Sequence, residues 1–386
     1  MSGRSHGPIG FFVHHQGRGH AERVAALANA LVPERSVTLF CAKPDIFPAL
    51  REGIEVRAIP SLFEPKGTEP PRLAQWPTPD HLHCAPLGWA TVTEAVGTIA
   101  AWLAEAQPAL FISDVSAEIG QLCRIASVPH IAVLQHGDRA DPGHLSHYES
   151  AVGILAPYHS ALEQTGRPEW MRAKTHYSPG LGIDLGKSIS RDEARQTLGL
   201  PAERRIVLVL AGGGGTGTPN TPLTLAARAA PEETWHTIGT VASEWHETPP
   251  GNLVHHGWVD KPETWIAAAD LVVSSAGNTT VHMVLAAGRP WIVVPEWRYF
   301  DEQLCKARAL ATAKVAAVAE HWPSHGAAWT ELKAEATAID PDRQTALVGS
   351  DAATATAKWL SELAVHIWAG SGSATGHALE VAEAQS

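Results

Sequence analysis

Residues Ile9–Leu31 read IGFFVHHQGRGHAERVAALANAL. Ile9-Gly10-Phe11-Phe12-Val13 is apolar at successive positions, as a strand covered on both faces should be. A loop carrying Gly17 and Gly19 follows. From about His20, Val24, Leu27, Ala28 and Leu31 recur at helical spacing. Strand, glycine loop and helix form the first two-thirds of a βαβ unit, and the rhythm continues outward. Val37–Phe40 and Leu110–Ser113 read as further strands, the second followed by a helix with Ile119, Leu122, Cys123 and Ala126 on one face. Ile131–Leu134 closes another unit. The pattern restarts with apolar runs at Ile206–Leu210, Leu271–Val273 and Trp291–Val294. Alternating strand and helix predicts an α/β chain with two Rossmann-like, doubly wound domains.

The Pro/Gly segment Ser178-Pro179-Gly180-Leu181-Gly182 suits a seam. The expected division is an N-terminal domain over 1–180 and a C-terminal domain over 181–367, with the last helix expected to pack back on the first domain. The Gly/Ser/Ala-rich stretch 368–386 reads as a mobile tail. Between 60 and 90, Pro60, Pro65, Pro70, Pro71, Pro77, Pro79 and Pro86 argue against a long regular helix. A long loop of this kind is often functional.

The chain of 386 residues is 45% hydrophobic and 18% charged, enough apolar content for two cores. Fourteen basic and 17 acidic residues precede position 181, and 15 and 23 follow, for a net charge of -11. Neither half is basic, which argues against a nucleic-acid partner held by phosphate neutralisation. Nowhere do about 18 apolar residues run uninterrupted, so no spanning helix is expected. The first apolar run is too short for a signal peptide, and a cytoplasmic location follows as the expectation. Cys41, Cys84, Cys123 and Cys305 lie far apart and read as buried free thiols rather than a disulfide or zinc set.

Five constellations fall after predicted strands, where open α/β sheets bind ligands. In His14-His15-Gln16-Gly17-Arg18-Gly19-His20, the glycines admit close backbone approach. His20 stands at a helix N-terminus, which favours a neutral, proton-accepting imidazole. The plain alternative is a polar capping loop. Asp114 follows the strand Leu110–Ser113 and is placed to orient His20, or else simply to cap the next helix. Ala211–Gly217 holds Gly213, Gly214 and Gly215 and suits an anionic group or a tight turn. Pro219 and Pro222 are expected to delay the helix after it. Ser274–Thr280 offers backbone N–H groups with the hydroxyls of Ser275, Thr279 and Thr280, either a phosphate cradle or a well-capped helix. Phe300-Asp301-Glu302-Gln303 offers polar groups for sugar hydroxyls or a solvated first helical turn. Asp340-Pro341-Asp342 fits the DxD pattern of metal-dependent sugar transfer but reads as an ordinary helix start. No metal site is expected.

Taken together these segments resemble the GT-B glycosyltransferases, most closely the MurG-like glycosyltransferase family 28. The likeness is strongest over Ser274–Leu310, SSAGNTTVHMVLAAGRPWIVVPEWRYFDEQLCKARAL. Gly17-Arg18-Gly19-His20 is similar to the family's N-terminal loop, and Val209–Gly215 to the loop opening its C-terminal domain. His256-Gly257-Trp258-Val259-Asp260 resembles the segment that reads the nucleobase. The resemblance implies two domains facing a cleft, with the acceptor on the front one and a nucleotide-diphosphate sugar on the rear one. It also implies inversion at the anomeric carbon without a metal and with no cofactor beyond that co-substrate. On this footing His20 is the base and Asp114 its orienting partner. Gly213–Gly215, Trp258, Val259, Ser275, Gly277, Asn278, Thr279 and Thr280 hold the nucleotide and diphosphate. Asp301, Glu302 and Gln303 hold the sugar. Gly17, Arg18, Gly19, Trp76 and Trp89 are the acceptor-side candidates; Trp76, Trp89 and Trp102 either stack on an acceptor or simply pack. Two positions depart from the family. Met283 stands where relatives carry a ribose-binding Glu, and Ser275 where some carry a phosphate-contacting His.

The expected function is transfer from a nucleotide-diphosphate sugar, uridine- or thymidine-linked, to a small-molecule hydroxyl. A nucleotide-sugar 2-epimerase is the alternative on the same fold. A non-catalytic partner of a true transferase is the second, suggested by Met283 and opposed by the presence of both His20 and Asp114.

Overall fold

The structure is a computed structural model that describes residues 4–32, 34–184, 189–212, 217–242 and 248–369. Seven strands form the front sheet: β1 Ile9–Val13, β2 Val37–Cys41, β3 Ile54–Ala58, β4 Leu110–Ser113, β5 His130–Val133, β6 Gly153–Ala156 and β7 Thr175–Tyr177. All pair in parallel, in the order β3-β2-β1-β4-β5-β6-β7. The rear half contains β8 Arg205–Leu210, β9 Thr218–Pro219, β10 Glu233–Ile238, β11 Val241–Ala242, β12 Leu253–His255, β13 Leu271–Ser274, β14 Trp291–Val293 and β15 Ala317–Val318. Six of these make a second parallel sheet, β12-β10-β8-β13-β14-β15, while β9 and β11 pair separately. Buried apolar runs such as Phe11, Ile112, Val207, Leu208 and Val272 explain why both sheets are parallel and covered by helices.

Strand order fixes the position of the site. In the front sheet the chain leaves β1 for β2 and β3, then returns to β4 on the other side of β1. In the rear sheet the same reversal lies between β8 and β13. A crevice opens where two neighbouring connections diverge in this way. Register aligns Phe12 with Ser113 and Leu210 with Ser274, so the loops after each strand pair emerge at one edge.

The helix Arg18–Leu31 buries Ala21, Val24, Leu27, Ala28 and Leu31. Val24, Leu27, Ala28 and Leu31 share a core with Ile9, Phe11, Val13 and Leu39. The final helix, Ala352–Trp368, adds Ala357, Leu360 and Ala364 to that same front core. Arg35 Nη2 donates to Ser361 O at 3.3 Å, and Trp368 Nε1 to Ala109 O at 2.9 Å. The chain therefore crosses between the halves twice. The crossings touch, since a Cβ on Gly180 would lie 3.3 Å from Gly349 O.

Local expectations meet different outcomes. Trp102 takes the packing alternative: it is buried against Phe40 and Phe111, with ring centroids at 5.4 and 6.1 Å. Pro222 does not delay a helix. It lies in the first turn of Asn220–Ala229, where no intrahelical N–H is required. The cysteines are free, but only Cys41 and Cys123 are buried. Asp340 caps Pro341–Thr345 by accepting the Asp342 N–H, as an ordinary helix start does. The expected tail beyond Ala369, and Gly213, Gly214 and Gly215, lie outside the described residues.

Candidate functional site

The front wall is built at the end of β1. Gly17 caps the helix Arg18–Leu31 at φ 95°, a conformation that disfavours any other residue, and provides no side-chain cap. The first N–H groups of that helix are thus left to whatever occupies the crevice. His20 sits in its first turn. Its Nδ1 lies 2.8 Å from Asp114 Oδ2, although 94 positions separate them in sequence. Asp114 is carried there by β4, and its backbone N–H donates to Phe12 O at 3.1 Å. With Nδ1–H given to the carboxylate, Nε2 of a neutral His20 keeps its lone pair.

Asp114 is fully buried. Burial alone would raise its carboxyl, but the charges of Arg23 and His20 and their hydrogen bonds outweigh it, holding Asp114 well below the usual carboxylate range. Arg23 Nη2 donates to Asp114 Oδ1 at 2.6 Å. His14 packs beside the pair, its ring 5.2 Å from His20 and stacked 4.7 Å from Phe63. Burial, reinforced by His20, pushes His14 down to about 4.

The rear wall is the N-terminus of the helix Asn278–Ala287. Its cap is Gly277, again without a side-chain cap. The hydroxyl-rich segment before it does not cap the helix, because Ser274 Oγ donates instead to Ser275 O at 3.0 Å. Gly277, Asn278, Thr279 and Thr280 are half-buried, while Ser275 is buried. Helix N–H groups without an internal acceptor, beside two hydroxyls, favour an anion.

The two walls meet. A Cβ placed on Gly19 would lie 3.7 Å from Thr279 Oγ1, so one helix start faces the other across the crevice. The turn after β14 spans the same gap. Phe300 O accepts the Asp138 N–H at 2.7 Å, and the Phe300 ring lies 5.3 Å from His83, 5.1 Å from His144 and 4.8 Å from the Arg139 guanidinium carbon. Phe300 and Asp301 both adopt left-handed backbone, at φ 61° and 51°, the kind of strain that surrounding contacts must sustain.

The three expected sugar-side residues have different environments. Asp301 is exposed. Glu302 lies 3.5 Å from the buried Lys306 ammonium. Burial would raise Glu302, but Lys306, Arg139 and His20 together lower it. Gln303 Oε1 accepts the N–H groups of Ala276 at 3.0 Å and Glu296 at 2.9 Å, so its carbonyl ties the anion loop to the loop after β14. Only its amide NH2 remains for another acceptor.

Elsewhere Trp258 is 64% exposed after Gly257 at φ 68°, while Val259 packs on an apolar core to which both halves contribute. Met283 is buried in that core. Arg18 is exposed and lies 3.7 Å from Glu22. Trp76 is 59% exposed and Trp89 half-buried at the start of the helix Ala90–Ala106. Among the described residues no hydrogen bond or ring contact joins either tryptophan to the dyad.

His83, Asp141 and His144 bring ligand atoms within 4.8 Å of one another, but Asp141 and His144 are already engaged with each other and with Arg139. Asp141 accepts from His144 N at 3.1 Å and from its Nδ1 at 2.5 Å, and Arg139 Nη1 lies 3.2 Å from His144 Nε2. A guanidinium and a helix start are poor neighbours for a cation.

Sequence reasoning missed Arg23, Lys306 and Phe300. Arg23 and Lys306 carry a signal, since they follow His20 and Glu302 by three and four positions on helices. Phe300 carries none.

Residues 246–339 match the Glycosyltransferase family 28 C-terminal domain. Over 270 residues the chain is 29% identical to the UDP-N-acetylglucosamine--N-acetylmuramyl-(pentapeptide) pyrophosphoryl-undecaprenol N-acetylglucosamine transferase of Clavibacter michiganensis subsp. michiganensis, covering 68% of this chain and 71% of that one. The protein of the same name from Thermus thermophilus is 33% identical over 126 residues, 32% of this chain and 37% of that one. Among solved structures, Acinetobacter baumannii MurG superposes with a TM-score of 0.60 at 13% identity, over 92% of this chain and 99% of that one. A UDP-glucosyltransferase from Polygonum tinctorium gives 0.64 at 13% identity, over 93% and 98%.

Proposed function

The chain is a nucleotide-sugar glycosyltransferase of the GT-B fold with a family 28 C-terminal domain, and from that premise we propose that it moves a sugar from a nucleotide-diphosphate donor to a hydroxyl of a small-molecule acceptor, with inversion and without a metal. The observation that carries this reading is the approach of two uncapped helix starts, one bearing His20 and the other Thr279, with 3.7 Å from a Cβ on Gly19 to Thr279 Oγ1.

In this mechanism the acceptor hydroxyl gives its proton to His20 Nε2 as its oxygen attacks the anomeric carbon. The bond to the diphosphate breaks on the opposite face. Asp114 fixes the imidazole tautomer and stabilises the imidazolium. The N–H groups of residues 278–280 and the hydroxyls of Thr279 and Thr280 receive the charge that develops on the leaving diphosphate. Ser275 and Gly277 shape the loop beneath them. Asp301, Glu302 and the Gln303 amide NH2 face the sugar, and Trp258 and Val259 the nucleobase.

The bacterial relatives named above are UDP-N-acetylglucosamine transferases, which supports uridine diphosphate as the leaving group. Their named acceptor is carried on pyrophosphoryl-undecaprenol. A net charge of -11 is poorly matched to an anionic lipid surface, which supports a small, freely diffusing acceptor and a cytoplasmic setting. Among the described residues no helix is long and apolar enough to cross a membrane.

Thermal unfolding with UDP tests the donor site. A nucleotide at about 100 times its Kd stabilises by about 2.7 kcal/mol, so a rise in Tm of several degrees is expected. The shift should persist in EDTA. No shift with UDP or dTDP at millimolar concentration would exclude the donor site.

A further inference from the structure

We propose that Arg23 is a positioning residue for the His20–Asp114 pair: its guanidinium clamps one carboxylate oxygen so that the other faces the imidazole. The proposal rests on the reading of His20 as the base.

Arg23 follows His20 by three positions, so both side chains leave the same helix face. It is buried, with Nη2 2.6 Å from Asp114 Oδ1 and 3.0 Å from His20 Nδ1. Each carboxylate oxygen therefore receives one donor, Oδ1 from Arg23 and Oδ2 from His20. Without the first, the carboxylate is free to turn about its own bond and lose the second. Among the described residues the buried Nε of Arg23 has no hydrogen-bond partner, so the side chain forgoes part of its solvation to serve this one contact. The helix turn that carries it is also held. Gly182, at φ 76°, lies where a Cβ would come within 2.3 Å of Arg23 Cα, so the crossover segment presses directly on that turn.

His14 faces His20 from the loop after β1, Arg23 from its own helix, Asp114 from the end of β4, and Glu302 from the helix Glu302–Thr312 across the crevice. Two of these are carboxylates, and Lys306 pairs with Glu302. The Arg23 guanidinium is the cation in contact with His20 itself.

The test measures UDP released from UDP-N-acetylglucosamine in Arg23→Met, Arg23→Lys and His20→Ala protein. Arg23→Met should lower kcat by about 10–100-fold, with the donor KM within about twofold of wild type. Arg23→Lys loses the planar fork, so kcat should fall about tenfold. A wild-type kcat in folded Arg23→Met overturns the proposal. If Arg23→Met does not fold, Arg23→Lys decides alone: a wild-type kcat overturns the role, and a lowered kcat at unchanged KM supports it. Normal turnover by His20→Ala would instead sink the underlying base assignment. Inactive His20→Ala beside wild-type Arg23 variants sinks only the role of Arg23.

Discussion

The two helix starts that face each other are alike in backbone and opposite in chemistry. Both are capped by glycine, and neither has a side-chain cap. The front one is followed by His20 and Arg23, which converge on a carboxylate with no solvent exposure. The rear one carries amide and hydroxyl groups and no charged side chain over Gly277–Thr280. A charged buried cluster is costly to assemble and suits a site that must change protonation within each turnover. An array of neutral dipoles receives a charged leaving group without itself titrating. On the proposed mechanism, proton handling and charge reception fall to separate halves of one molecule.

The sharpest way to break this contrast is His20→Ala. Transfer should fall by about 10²–10⁴, with the UDP-induced rise in Tm retained, because the rear wall is untouched. Turnover kinetics and thermal shift on the same protein check it. Loss of the UDP shift would mean that the halves are not functionally separate.

Acid sharpens the contrast through stability. Burial holds His14, His130 and His144 at about 4 and His136 at about 3, against an ordinary 6.5, and puts His147 well below it. Above pH 6.5 these groups are neutral in folded and unfolded chains alike, so they add no pH dependence. Between 6.5 and about 4 the unfolded chain takes up protons that the fold refuses, and stability falls as pH falls, by up to about 1.4 kcal/mol for each unit of depression per group. His176 of the front half and His236 and His282 of the rear half are also held at about 4, so more of these rings lie in the front half, where among the described residues His130 and His147 stack at 5.3 Å with no hydrogen-bond partner for either ring. Tm should drop by about 10 °C or more between pH 7 and pH 4.5, and hydrogen exchange at pH 5 should open front-sheet amides first. Rear-sheet amides opening first would remove this asymmetry.

The smallest effect should come from Thr279→Val combined with Thr280→Val. Losing two neutral hydroxyls should weaken UDP binding about tenfold and leave the acid limb of kcat/KM in place, measured by calorimetry and a pH–rate profile. A moved limb would tie these hydroxyls to the proton chemistry of the other wall.

The sequence made the strands readable because fully covered parallel strands are long apolar runs, as in Ile206–Leu210. It made the His20–Asp114 pairing readable because both follow strands that the doubly wound topology places side by side. It did not disclose Gln303 as a tie between two backbone loops, since a glutamine facing a sugar and one facing an amide look alike in one dimension. Trp102 stayed undivided between stacking and packing for the related reason that aromatic character says nothing of direction. Phe300 is legible only in three dimensions, because its partners, His83, His144 and Arg139, lie more than 150 positions away in the other half.

The paired crossings at Gly180 and Gly349 have a mechanical consequence. A single tether would let one lobe swivel freely over the other. Two that touch act like a pair of door pins, so that movement must be accommodated at both and twisting is resisted more than bending.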